Sequence, residues 1–124
     1  SYAVSYPVVC RLVLEDFEGS MTGKDNFYGL TYDATCEKIS DTQIKINNFA
    51  GKGKSVLVDI DTEAYTVSVA KQIIADTYGT AYTNLYLVGN GSVDSCNGIV
   101  KIVATCGVDQ GTFGGSFTFE FRVK

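Results

Sequence analysis

Histidine is absent from all 124 residues, which removes the usual general base, the Ser–His and Cys–His nucleophile pairs, and the commonest metal ligand. Acid–base work would fall to carboxylates. Asp59, Asp61 and Glu63 stand at alternate positions, so on a strand they project from one face, where they could hold Ca²⁺ or act as a carboxylate pair in a hydrolase. The plainer reading is a solvated face opposite Val58 and Ile60. Glu15, Asp16 and Glu18 form a second acidic cluster, read as exposed strand and turn. Gly51-Lys52-Gly53 and the glycines at 111, 114 and 115 lack the strand, turn and helix context that aims backbone N–H groups at a phosphate. They read as loops.

Tyrosine offers the stronger lead. Sugar rings dock through their C–H surfaces on flat aromatic faces, while amides and carboxylates take the hydroxyls. Tyr82, Asn84 and Tyr86 are in phase on one strand, with Tyr78 just before them, and the other face carries Ala81, Thr83, Leu85 and Leu87. If the leucine face is the core, the Tyr82, Asn84 and Tyr86 side chains form an exposed platform; if the tyrosine face points inward, they fill the core. Tyr28 and Tyr32 pose the same alternative. Tyr78, Tyr82, Asn84 and Tyr86 are the candidate ligand-binding residues.

Cys10, Cys36, Cys96 and Cys106 allow three pairings if all are oxidised, and no spacing matches a zinc pattern. Cys96 lies in a turn and Cys106 at the far end of the next strand, roughly 26 Å away at strand rise, so those two do not bridge and any pairing is long-range. Cys10 and Cys36 sit in phase with apolar neighbours, as small buried hydrophobes do. Free buried thiols are the simplest expectation for them. No metal or cofactor is implied.

The elements that must carry these residues are strands. Val, Ile, Thr, Tyr and Phe make up 49 residues, about 40 % of the chain, against 15 for Ala, Leu and Met, a balance that excludes a helical bundle. Alternation and turn residues predict strands over 12–21, 27–39, 43–47, 55–61, 64–69, 71–77, 80–88, 99–106 and 113–123. Breaks are expected at 23–26, at Ser40-Asp41-Thr42, at a flexible 51–54 loop, at Asn90-Gly91 and at Cys96-Asn97-Gly98. The last strand is the plainest: Phe117, Phe119, Phe121 and Val123 alternate with polar residues. The expected fold is all-β, a single antiparallel meander of about eight strands closed as a small barrel, with a two-sheet sandwich as the alternative.

A net charge of −4 with only ten basic residues leaves no footprint for a phosphate backbone, so nucleic acid is not an expected partner. No segment approaches a membrane span, and a start at Ser1 reads as a processed or trimmed boundary, with any lipid anchor lying outside this chain. Residues 1–10, with alternating Tyr2, Val4, Tyr6 and Val8, look like the end of a preceding module or a linker; 11–124 form the barrel domain.

The order of phrases is informative: Leu14-Glu15-Asp16-Phe17-Glu18-Gly19, residues 28–36, Ile44-Lys45-Ile46-Asn47-Asn48-Phe49, then Val58-Asp59-Ile60-Asp61, with Gln72 soon after the paired strand. Over residues 10–123 this resembles the calycin-like, lipocalin-like β-barrel domains at the C-terminal end of secreted or surface lipoproteins of Bacteroidota. The resemblance implies an extracytoplasmic location, an immunoglobulin-like module upstream and glycan capture, and it supplies no catalytic residue. The expected function is a noncatalytic extracytoplasmic module that binds a polysaccharide or a cell-surface protein; the alternative is a structural or adhesive domain without a small-molecule site.

Overall fold

The computed structural model describes residues 10–124. Nine antiparallel strands follow in order: β1 (Gly19–Asp25), β2 (Thr31–Ser40), β3 (Gln43–Asn47), β4 (Val56–Asp61), β5 (Thr66–Tyr78), β6 (Tyr82–Asp94), β7 (Ile99–Val108), β8 (Gly111–Thr112) and β9 (Phe117–Val123). Each strand from β1 to β7 pairs with the next, β7 pairs with β9, and β9 returns to β1 with Met21 opposite Val123 and Asp25 opposite Phe119. Eight strands thereby close into a barrel, and the two-residue β8 hangs on the end of β7. Closure leaves no room for the sandwich.

Alternation decides which side chains enter the barrel. Val56, Val58 and Ile60 on β4, Val100, Ile102 and Ala104 on β7, and Phe119 and Phe121 on β9 are buried, each large one contributing about 1.5–3 kcal/mol. Phe49 packs its ring 5.1 Å from Phe119 and 5.0 Å from Phe121, so side chains fill the axis.

Several local expectations are corrected. The 12–21 segment is a strand only from Gly19 onward: Leu14–Phe17 forms a 3₁₀ turn whose Leu14 and Phe17, three apart and therefore on one side of that turn, are both buried. β1 begins at Gly19 and runs to Asp25, so the break expected at 23–26 starts only at Asn26. Gly23 is needed there because a Cβ would lie 2.5 Å from the Tyr32 ring. The strands expected at 64–69 and 71–77 are one strand, β5, which shifts register twice against β6, between Val69 and Gln72 and between Ile73 and Ala75. Those bulges break the alternation that made the segment look like two strands. Tyr65, just before β5, adopts φ 58° in the β4–β5 turn.

Asn90-Gly91 is not a turn. β6 continues to Asp94, because Gly89 and Gly91 let β7 approach so closely that a Cβ would meet Val103 O at 2.3 Å and Lys101 O at 1.8 Å. The actual turn follows Asp94, whose carboxylate accepts hydrogen bonds from the Cys96 and Asn97 N–H groups and from Asn97 Nδ2. The loop after β3 is braced rather than loose: Phe49 and Ala50 are buried, Asn48 Nδ2 donates to Asp33 O, and Gly53 N donates to Asn48 Oδ1.

Cys10 is not a free thiol. It is bonded to Cys96, and its carbonyl accepts from the Tyr65 and Ser95 hydroxyls, so the chain at Cys10 is tied to the end of the barrel where the 3₁₀ turn lies. Cys36 and Cys106 are free and buried. Tyr2, Val4, Tyr6 and Val8, and with them the reading of a preceding module, lie outside the described residues.

Candidate functional site

At the opposite end of the barrel, the β1–β2, β3–β4, β5–β6 and β7–β9 connections gather the aromatic residues. Phe27 is the hub, its ring centroid 5.0 Å from Tyr28, 5.3 Å from Tyr78, 5.5 Å from Phe113 and 4.8 Å from Phe117. These edge and tilted contacts add about 0.5–1.5 kcal/mol each beyond area burial. Tyr78 also meets Tyr28 at 5.8 Å and Tyr82 at 6.4 Å. Phe27, Tyr28, Tyr78 and Phe113 are only partly buried, and Tyr82 is exposed.

Beside this cluster runs an open groove of about 550 Å³ lined by Tyr28 and Tyr78, by Lys52, Gly53 and Lys54 from the β3–β4 loop, and by Ala75, Asp76, Thr77 and Gly79. Lys54 Nζ pairs with Asp76 at 3.0 Å. Lys52 Nζ stands 4.3 Å from the Tyr28 ring centroid, a cation–π contact worth about 0.5–1 kcal/mol at an exposed position. The groove thus combines ring faces, hydroxyls, ammonium groups and one carboxylate.

Beneath Tyr28 lies the buried Asp25. Its Oδ1 accepts from the Tyr28 backbone N–H at 2.6 Å, which fixes the β1–β2 turn; Oδ2 is buried without a hydrogen-bond partner among the described residues. Burial, with Tyr78, Asp25 and Cys106 nearby, pushes the Tyr28 hydroxyl up to about 12, so it stays protonated and can donate.

The four candidate residues are divided by this geometry. Leu85 and Leu87 are the core face, so the tyrosine face is external. Yet no single flat platform results: Asn84 takes φ 55°, and its Nδ2 donates to Asp109 Oδ2 at 2.6 Å, where Thr83 Oγ1 also donates. Asn84 is committed to holding the β7–β8 turn. Tyr86 lies across the wall over Gly107, where a Cβ would meet its Oη at 2.3 Å, and under Lys71 Nζ at 4.3 Å from the ring centroid. Tyr82 and Tyr78 join the aromatic end instead. Tyr32 packs inward at 6.1 Å from Phe121, whereas Tyr28 reaches the groove. The sequence points to Tyr28, Tyr78 and Tyr82 by residue type, whereas nothing in it singles out Lys52, Lys54 and Asp76, which the β3–β4 loop and β5 bring to the same groove.

The carboxylate candidates are built otherwise. Asp59, Asp61 and Glu63 line an open depression of about 620 Å³ on the wall. Asp61 Oδ1 accepts from the Glu63 and Ala64 N–H groups, which hold its carboxyl below the ordinary value, opposite to what a general acid requires. Asp59 accepts from Gln43 Nε2 at 3.0 Å. Lys38 pairs with Glu15. Among the described residues, no group of three or more acidic or cysteine side chains is arranged to hold a metal. Burial pushes the Cys36 and Cys106 thiols up to about 12, keeping both protonated and unreactive.

Comparison with protein-family models, with curated proteins and with solved structures yields no match to this chain. The chemistry of the site rests on its geometry.

Proposed function

We propose that this protein is a noncatalytic extracytoplasmic binding module that captures a glycan in the groove at the aromatic end of its barrel. The observation that carries this reading is the placement of Tyr28 and Tyr78 along the groove, with Tyr82 at its shoulder, next to the Lys52, Lys54 and Asp76 side chains. Aromatic faces supply the apolar contact and the polar groups fix orientation. The Cys10–Cys96 disulfide supports an oxidising compartment, where such bonds persist.

A second reading, a structural or adhesive module, is favoured by one observation. Leu57, Ile73, Val88 and Val103, from four neighbouring strands of the wall, leave large apolar side chains exposed, which suits a protein neighbour.

Affinity electrophoresis through a panel of plant and host polysaccharides separates the two. Glycan capture predicts retardation by one class, weakened about fivefold by Tyr82→Ala, as expected for losing about 1 kcal/mol of ring contact, and unaffected by Tyr86→Ala. Unchanged migration across the panel would favour the protein-partner reading.

A further inference from the structure

The groove also carries a charge arrangement that bears on which sugars it accepts, given the glycan-binding reading above. Two of its lining residues are basic and one is acidic. Lys54 is matched by Asp76, whereas Lys52 has no carboxylate partner among the described residues and rests its ammonium on Tyr28.

That position is built into the loop. Lys52 N donates to Phe49 O at 3.1 Å, and Phe49 N donates to Lys54 O at 2.9 Å, with Phe49 itself locked in the core. The ammonium therefore projects from a short braced turn over one face of the ring that a sugar would use. A neutral sugar stacking there must displace it. A sugar bearing a carboxylate or sulfate gains it as a partner, because the anion can pair with the ammonium while the ring lies along the groove beside Tyr78.

We propose that the groove selects acidic sugar units, with Lys52 reading the negative charge. The background favours a clean test, since a chain of net charge −4 repels a polyanion on average, and the Lys101→Ala control reports any contribution of basic side chains away from the groove.

The experiment is affinity electrophoresis of the full chain in gels containing polygalacturonate, a sulfated polysaccharide or a neutral β-glucan, with ligand-free gels correcting for intrinsic mobility. Lys52→Ala is compared with the charge-matched Lys101→Ala, both shown folded by near-UV circular dichroism. Retardation by an acidic polymer is expected, reduced about tenfold or more in Lys52→Ala, as for loss of one charge-assisted hydrogen bond, and unchanged in Lys101→Ala. Retardation by polygalacturonate alone identifies a carboxylate ligand, and by the sulfated polymer alone a sulfate ester. A neutral glucan binding as tightly as the acidic polymers, or Lys52→Ala binding them like the parent, overturns the selection and leaves glycan capture standing. No retardation by any of the three, nor by the wider neutral panel, overturns both.

Discussion

Gln72 does for β4 what a neighbouring strand should do, and removing it tests how the barrel survives its bulges. The β4–β5 ladder covers only Asp59 to Asp61 against Thr66 to Ser68, and beyond it β5 bulges away. There the Gln72 side chain stands in for a peptide group: Oε1 accepts from Leu57 N at 2.8 Å, and Nε2 donates to Leu57 O at 2.9 Å and to Ala70 O at 3.1 Å. Three hydrogen bonds at a net 0.5–1.5 kcal/mol each would sum to roughly 1.5–4.5 kcal/mol. Leu57 is 41 % exposed, so water recovers part of the loss, and Gln72→Ala is expected to cost about 2 kcal/mol, or roughly 8 °C in Tm for a domain of this size. Gln72→Glu keeps the acceptor for Leu57 N–H but turns a carboxylate oxygen toward two carbonyls. It should destabilise more than alanine at neutral pH and recover partly when acidified. Urea denaturation of the three proteins at about pH 7 and about pH 4 measures both effects. An alanine variant within about 0.5 kcal/mol of the parent, or a glutamate variant no worse than alanine, would refute the reasoning and mean that water satisfies the bulged segment equally well.

Three further predictions follow from the same geometry. The Cys10–Cys96 bond spans 86 residues of sequence, so reduction, or the Cys10→Ser/Cys96→Ser pair, should cost about 4 kcal/mol; an unchanged Tm in reductant would count against that. Tyr28, with an ordinary value of 10.0, and Cys36 and Cys106, at 9.0, are each pushed by burial to about 12. Each holds its proton more tightly when folded, so its contribution is intact below pH 9 and is lost as pH rises toward 12. The urea midpoint should fall steadily across that window, and a flat profile would contradict the burial. Finally, Gly91→Ala sets a Cβ against the Lys101 backbone, whereas Gly107→Ala meets the movable Tyr86 ring. Thermal melts should show a loss of about 3 kcal/mol or more for the first and about 1 kcal/mol for the second, and equal losses would show that β7 yields as readily as a side chain.

What was legible in the sequence was the alternation of β4, β7 and β9, because each is a regular strand with one face in the core. The segments that misled did so for local reasons. Asn90-Gly91 has turn chemistry, but its glycine serves a close strand approach, and the Thr66–Tyr78 strand hid behind two bulges that reset its phase. Phe17 read as a strand residue although its spacing from Leu14 also suits a 3₁₀ turn. For the candidate site, residue type points to Tyr78 and Tyr82, which lie at the aromatic end, whereas Tyr86 and Asn84 share their phase but are used for covering Gly107 and holding a turn.

Taken alone, the sequence determined the fold class, the antiparallel meander and the absence of histidine chemistry, since these depend on composition and on periods a few residues long. Only the tertiary structure decided the pairing of Cys10 with Cys96, the closure of β9 onto β1 and the meeting of Phe27, Tyr28, Lys52, Tyr78, Tyr82 and Phe113 at one end. They come from segments tens of positions apart, and nothing local brings those segments together. They meet because an up-and-down barrel returns alternate connections to the same end, so distance along the chain gives way to the register in which eight strands close.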